Sequence, residues 1–248
     1  MQTVKAVIMA GGQGSRLRPL TCDRPKPMVP ILEWPIVAHI VLLLARAGVR
    51  EALTTLHPMP DQVIDFFGDG AAWGLSIRHL VEEEPVGTAG SVARARAFVD
   101  GTLVVISGDA LTDLQLEPVV RFHRERGSAA TLVLKAVSDP SEYGIVVTGQ
   151  DGRVTRFLEK PARGQVFSDH ANTGIYVLEG CVLDRIPRDR PFDFSKDLFP
   201  QLLRDGEPVF GYVTDSYWSD IGTPEQYRQA HLDVLDGKVR LPEGALGK

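Results

Sequence analysis

The stretch VKAVIMAGGQGSRLRPLTCDRPKPM, residues 4–28, decides the fold. It opens with a short, mostly apolar β-type run (4–9) that ends in Gly11, Gly12 and Gly14, and four cations follow closely: Arg16, Arg18, Arg24 and Lys26. Two nucleotide templates fail here. No Gly-Lys-Ser/Thr closes the loop as a P-loop requires, and Leu17 stands where a dinucleotide fingerprint needs glycine. A strand running into bare glycine backbone still offers N–H groups to phosphate oxygens, and Arg16 and Lys26 bring full charge to the same place. The competing reading is a glycine turn whose basic residues are simply solvated.

Working outward, runs of β type recur at 51–56, 75–80, 102–107 and 129–136, alternating with helical spacing of apolar residues at 34–47, 60–67, 88–99 and 116–126. Such alternation predicts an α/β fold: a Rossmann-like, open, mainly parallel sheet with helices on both faces and ligands at the carboxyl ends of the strands. The rhythm changes near residue 137. YGIVVTGQDGRVTRFLEKP reads as two strands around a Gly-Gln-Asp-Gly turn, NTGIYVLEG as another strand, DFSKDLFPQLLRDG as a helix closed by Gly206, and PVFGYV as a strand. TPEQYRQAHLDVL is a terminal helix with Thr223 as N-cap and Pro224 at its first position. The domain expected is 1–236, followed by a tail, 237–248, that follows neither period and resembles the start of a further region.

Composition bounds the partners. The 248 residues carry 27 Lys+Arg against 32 Asp+Glu, a net charge of −5, so the cationic cluster is local and its anion is expected to be a small ligand rather than nucleic acid or a membrane surface. Cys22 and Cys181 fit no metal-ligand spacing and are expected to be reduced thiols. No apolar run approaches the ~20 residues of a membrane span, and the N-terminus lacks a signal-peptide pattern, so a soluble, cytoplasmic protein is expected. His39, His57, His79, His123, His170 and His231 form no spaced cluster.

Gly-Gly-x-Gly-Ser-Arg-Leu-x-Pro-Leu-Thr (11–21) with Arg24-Pro25-Lys26-Pro27-Met28 resembles the signature of the sugar-1-phosphate nucleotidyltransferases. The resemblance runs on through EEEPVGTAGSV (82–92), SGDALTDL (107–114), EYG (142–144), FLEKP (157–161), NTGIY (172–176), FDFSKDLFP (192–200) and YWSDIGTPEQY (217–227). The pattern is nearest to the catalytic domain of mannose-1-phosphate guanylyltransferases. It implies in-line attack of a sugar 1-phosphate oxygen on the α-phosphorus of a nucleoside triphosphate, with pyrophosphate leaving. Such chemistry rests on positioning and charge neutralisation.

The resemblance also implies roles. Gly11, Gly12 and Arg16 would hold the triphosphate, and Lys26 would sit on the α-phosphate, with Arg18 and Arg24 as a supporting rim. Asp109, directly after a strand, and Asp220 would hold magnesium, the implied cofactor, while Asp113 reads as a local cap. Glu82, with backbone around Gly87 and Thr88, would contact the base. A carboxylate can accept from the adjacent N1–H and N2 donors of guanine, so GTP is favoured over UTP or dTTP. Gly144, Glu159, Lys160, Asn172 and Thr173 would line the sugar-phosphate side. A homo-oligomer is compatible with the resemblance. The rival readings are a UTP- or dTTP-dependent glucose-1-phosphate enzyme and, in another class, a non-catalytic nucleotide-sugar-binding regulatory subunit.

Overall fold

The computed structural model describes residues 4–162 and 164–241. In chain order its elements are β1 (Lys5–Ala10), β2 (Pro30–Ile31), β3 (Trp34–Pro35), α1 (Ile36–Arg46), β4 (Glu51–Leu56), α2 (Pro60–Phe67), β5 (Ser76–Val81), α3 (Thr88–Arg94), β6 (Thr102–Ser107) and β7 (Ala110–Thr112). There follow α4 (Leu116–Glu125), β8 (Ala130–Ala136), β9 (Gly144–Thr148), β10 (Val154–Glu159), β11 (His170–Glu179), α5 (Phe199–Arg204), β12 (Val209–Val213), β13 (Trp218–Asp220) and α6 (Pro224–Leu235). The chain forms two interleaved compact units. The first takes residues 1–85, 106–115 and 216–248, and the second takes 86–105 and 116–215. The expected 1–236 stretch thus takes in the second unit and most of the first, and the second begins well before the change of rhythm at 137.

In the first unit β1, β4 and β5 run parallel, with Ala6 opposite Ala52 and Ala52 opposite Ile77. Parallel strands covered on both faces read as continuous apolar runs, which is why VKAVIM was legible as β1. A short antiparallel ladder joins β13 to β7. Beneath these elements Leu17, Ile31, Ile36, Leu111, Ile221, Val234 and Val239 form one buried cluster. Val239 and its partner Leu241 show that the stretch expected to be a tail is docked up to residue 241, and 242–248 lie outside the described residues. The expected helix at 34–47 begins at Ile36 because Trp34 and Pro35 pair with Ile31 and Pro30 as a hairpin.

The second unit is mixed. β8 pairs antiparallel with β11 and parallel with β12, and β9 pairs antiparallel with β10 and β11. The Gly-Gln-Asp-Gly turn forms as read: the Gly149 amide donates to Arg153 at 2.8 Å, and Gly152 takes φ 83°. The helix expected from Asp193 to Gly206 starts instead as a wide turn, with the Leu198 amide reaching back five residues to Asp193 at 3.0 Å. Pro200 has no amide for the usual bond to Lys196, so the regular helix α5 begins only at Phe199. Likewise α3 ends at Arg94 rather than Val99, followed by a single tight turn. Thr223 caps α6 as expected, accepting from the Gln226 amide at 3.3 Å. Among the described residues no helix is long and apolar enough to cross a membrane.

His123 of α4 is buried in the second unit, its two ring nitrogens 2.9 Å from Thr131 Oγ1 and 3.2 Å from Glu179 Oε1. Burial pushes its pKa below the usual histidine value, and Glu179 only partly opposes this. A histidine kept neutral in the fold but free to charge when unfolded removes stability as pH falls below the ordinary value of 6.5. Chemical denaturation at about pH 7 and 5 should therefore show a shallower pH dependence in His123→Gln than in wild type, by up to about 1.4 kcal/mol per pH unit, one proton's worth. Equal slopes would mean that His123 titrates alike in both states.

Candidate active site

At the carboxyl end of β1 the chain enters the glycine loop, and the glycine with the strictest demand is Gly14. It has φ 62°, and a Cβ there would lie 2.9 Å from Lys26 Cβ and 3.0 Å from Thr21 Cγ2. Thr21 Oγ1 donates to the Gly14 carbonyl at 2.8 Å, which folds residues 14–26 back on themselves. Gly12 has open space around it. Gly11 faces the backbone of His57 and the Glu82 carboxylate, and a Cβ there would lie 3.8 Å from Glu82 Oε2. Leu17 is buried in the core and anchors the short turn that carries the exposed Arg16.

This loop delivers the Lys26 ammonium to two carboxylates. Lys26 Nζ donates to Asp109 Oδ2 and, at 3.3 Å, to Asp220 Oδ1. The acids are neighbours because β13 pairs with β7: Asp220 stands opposite Ala110, and the Ile221 amide donates to the Asp109 carbonyl at 3.2 Å. Gly108, just before Asp109, crowds the end of β1, where a Cβ would lie 3.0 Å from the Met9 carbonyl oxygen. The ammonium side chain is only 10% exposed. Burial acts to lower the Lys26 pKa, but Asp109 and Asp220 outweigh it and hold the pKa above the usual lysine value. Lys26 is therefore a permanent cation and not a proton donor at neutral pH. Burial and the charge of Asp109 push the Asp220 carboxyl up, against the opposing pull of Lys26 and Arg16.

Gly222, singled out by no sequence argument, makes room for Arg16: a Cβ there would lie 3.1 Å from Arg16 Nη2 and 3.6 Å from Asp220 Oδ2. Its amide donates to Gln226 Oε1 at 2.9 Å. Of the expected rim, Arg24 is tied to Asp23 at 3.1 and 3.2 Å, and Arg18 is exposed. Asp113 is not a helix cap. Its two oxygens accept from the Tyr217 amide at 2.8 Å and the Arg240 amide at 3.1 Å, bracing β13 and the segment after α6. Glu82 differs from its acidic neighbours: it is buried, whereas Glu83 and Glu84 are exposed. Its carbonyl lies 3.0 Å from His57 Nδ1, and its amide donates to Leu56 at 3.0 Å.

The second unit gathers the other expected residues. Glu159 stands opposite Gly144 in the β10–β9 ladder, where a Cβ on Gly144 would lie 2.7 Å from Glu159 Oε2. That oxygen is buried without a hydrogen-bond partner. Burial raises the Glu159 carboxyl above its usual range, with Ser195, Lys160 and Lys196 opposing and Asp193 reinforcing the rise. Lys160 is exposed and left-handed, φ 43°, with its amide on the Tyr143 carbonyl at 3.1 Å. A break in the β11–β8 register between Asn172 and Tyr176 turns Asn172 so that Nδ2 donates to Tyr176 Oη at 3.0 Å and Ser195 Oγ at 3.4 Å. Thr173 is buried, and its hydroxyl donates to the Val133 carbonyl at 2.8 Å, serving the strand. Gly87 has φ 78° and abuts the Phe192 backbone, and the Thr88 amide and hydroxyl both donate to Asp193 Oδ1, at 3.0 and 3.1 Å. Ser195 and Asp193 were missed as site residues, although both lie in the stretch FDFSKDLFP; only the irregular turn brings them to Asn172 and Thr88.

Two hard oxygen donors converging on one cation also suit a divalent ion. No group of three or more His, Cys, Asp or Glu residues able to hold a metal occurs among the described residues, so any ion would complete its shell from substrate and water. The positive φ and close packing of Gly14 yield a stability test. Gly14→Ala should lose about 1–3 kcal/mol, read by thermal or urea unfolding, because a Cβ must push the Lys26 stem in a left-handed backbone. Gly12→Ala, with open space, should lose less than about 1 kcal/mol, and equal losses would contradict this account of the loop.

Known proteins resemble this chain over nearly its whole length. A mannose-1-phosphate guanylyltransferase of Mycobacterium tuberculosis is 40% identical over 241 residues, covering 96% of this chain and 67% of the relative. A UTP–glucose-1-phosphate uridylyltransferase of Synechocystis is 37% identical, covering 96% of this chain and 65% of the relative. The chain thus spans about two thirds of the length of these curated relatives. Among solved structures, a chain described as a glucose-1-phosphate thymidylyltransferase from Bacillus anthracis superposes with TM-score 0.86 at 25% identity, covering 99% of this chain and 100% of that one. HddC from Yersinia pseudotuberculosis complexed with GMP-PN superposes with TM-score 0.80 at 27% identity, covering 94% and 100%. The family model described as nucleotidyl transferase matches residues 5–237, from the first strand through the last helix, and the chain belongs to that family.

Proposed function

We propose that this chain transfers a nucleotidyl group from a nucleoside triphosphate to a sugar 1-phosphate with release of pyrophosphate, and that its preferred pair is GTP and mannose 1-phosphate. The observation that carries the reading is the Lys26 ammonium held with Asp109 and Asp220 at the end of the glycine loop. The names of the relatives support the reaction, and the mannose-1-phosphate guanylyltransferase at 40% identity supports the pair. The uridylyltransferase at 37% identity keeps UTP with glucose 1-phosphate as the second reading.

In this mechanism the backbone of Gly11 and Gly12 and the Arg16 guanidinium bind and orient the triphosphate. Lys26 supplies a fixed positive charge for the α-phosphate, where charge shifts toward the leaving pyrophosphate. Asp109 and Asp220 are the residues that would hold magnesium, which when bound neutralises phosphate charge. Glu82, buried beside Gly11, is suited to accept the paired donors of guanine. Glu159 and Asn172 offer acceptor and donor atoms to sugar hydroxyls, and Lys160 offers charge to the sugar phosphate. Pyrophosphate release measured across GTP, UTP and dTTP with mannose and glucose 1-phosphates tests the whole reading, and no release from any pair would overturn it.

Removing Lys26 leaves Asp109 and Asp220 facing each other. Lys26→Ala should lower turnover by roughly a hundredfold or more while nucleotide affinity changes less. The same variant should melt earlier than wild type, and millimolar magnesium chloride should raise its melting temperature more than that of wild type. A variant insensitive to the ion would argue against the two carboxylates as its ligands. For the base, Glu82→Gln should reduce the GTP-over-UTP ratio of kcat/KM by about one order of magnitude, the worth of a lost charge-assisted contact. An unchanged ratio removes Glu82 from base selection.

A further inference from the structure

The second unit holds a cavity of about 360 Å³ that none of the proposed site residues lines, and four arginines border it: Arg94 and Arg96 after the start of α3, and Arg188 and Arg190 before the wide turn at 194–198. Its apolar floor includes Val86 and Ala93. Arg96 is held by Asp184 through two hydrogen bonds of 2.8 and 3.2 Å, which fixes its position and neutralises its charge. Arg94 and Arg188 are exposed, Arg188 lies near enough to Asp184 to help hold that carboxyl below its usual range, and Arg190 packs over the Phe192 ring at 5.0 Å. Asp189, between the last two arginines in sequence, does not line the cavity. In a chain of net charge −5 this is a local excess of positive charge facing a concave, partly apolar space.

The arginine-bearing wall is pinned rather than loose. The Phe192 amide donates to the Val86 carbonyl and the Gly90 amide donates to the Phe192 carbonyl, each at 2.9 Å, so the two walls are joined by backbone hydrogen bonds at the floor. Gly90 also fits closely under Val86, where a Cβ would lie 3.3 Å from two carbon atoms of that side chain. Guanidinium groups are planar forks matched to phosphate and carboxylate oxygens, and a pre-formed cavity in the volume range of small-molecule sites lets them act together at little ordering penalty.

We infer that this cavity is a second, anion-binding site, and that its ligand is a small soluble metabolite carrying two phosphate groups on a short carbon body. The concavity and apolar floor favour such a molecule over a flat polyanionic surface. The two phosphates engage Arg94 on one wall and Arg188 with Arg190 on the other, and the carbon body rests on Val86 and Ala93. The site does not depend on the reaction proposed above.

Isothermal titration with 2,3-bisphosphoglycerate as probe tests it. Wild type binds the probe, with affinity falling as sodium chloride rises. Arg188→Glu with Arg190→Glu weakens binding by about tenfold or more, as does Arg94→Glu alone on the opposite wall, which keeps the test open should the double variant fail to fold. Binding that survives both sets of replacements lies elsewhere and overturns the proposal, as does the absence of binding to wild type at millimolar probe.

Discussion

Everything in the first unit is arranged around one ammonium group that must be kept partly out of water between two carboxylates. Lys26, Asp109 and Asp220 lie 83 and 194 positions apart, and no local structure brings them together. Three devices do so: the left-handed Gly14 that admits the Lys26 stem, the small Gly108 that lets Asp109 turn at the end of β1, and the two-strand ladder that sets Asp220 beside it. Clustering charges this way is a poor investment for stability alone, since the desolvation penalty offsets most of the attraction. It is well suited to a site that must meet a multiply charged ligand, because the partners already oriented toward one another can exchange protein contacts for substrate contacts with little movement.

The second unit applies the same logic with neutral groups. Asn172 donates to both Tyr176 and Ser195, while Glu159 keeps one buried oxygen without a partner over the bare backbone of Gly144. A buried acceptor left open in this way is unfavourable unless something donates to it. The break in the β11–β8 register and the wide turn at 194–198 are the irregularities that bring these groups together, and both are departures from regular hydrogen bonding held in place by surrounding packing.

Sequence periodicity was informative where burial is uniform. β1, β4 and β6 and helix α2 lie where apolar patterning puts them, and Thr223 caps α6 because its hydroxyl and the following proline act locally. The short strands β7 and β13 were recognised only as motif text, since three residues carry no readable period, yet they join the two acids. Asp113 looked like a cap because an acid before a helix usually is one; its partners, Tyr217 and Arg240, lie too far along the chain to be seen. The special roles of Gly14 and Gly222 depend on which side chain lies opposite, information that exists only in three dimensions. Glu82 is distinguished from Glu83 and Glu84 in sequence only by the family resemblance, and its burial, where its two neighbours are exposed, is visible only in the fold.

Because the first unit is assembled from 1–85, 106–115 and 216–248, its order of completion on the ribosome is unusual. The glycine loop emerges first, but the core under it needs Ile221, Val234 and Val239, and the pair of acids needs Asp220. Nascent chains generally fold domain by domain from the amino terminus. Here the segments of the second unit are all synthesised before the first can close, so residues 1–85 must wait for the segment that begins at residue 216. The cluster of Lys26, Asp109 and Asp220 can come into being only when almost the whole described chain has been translated.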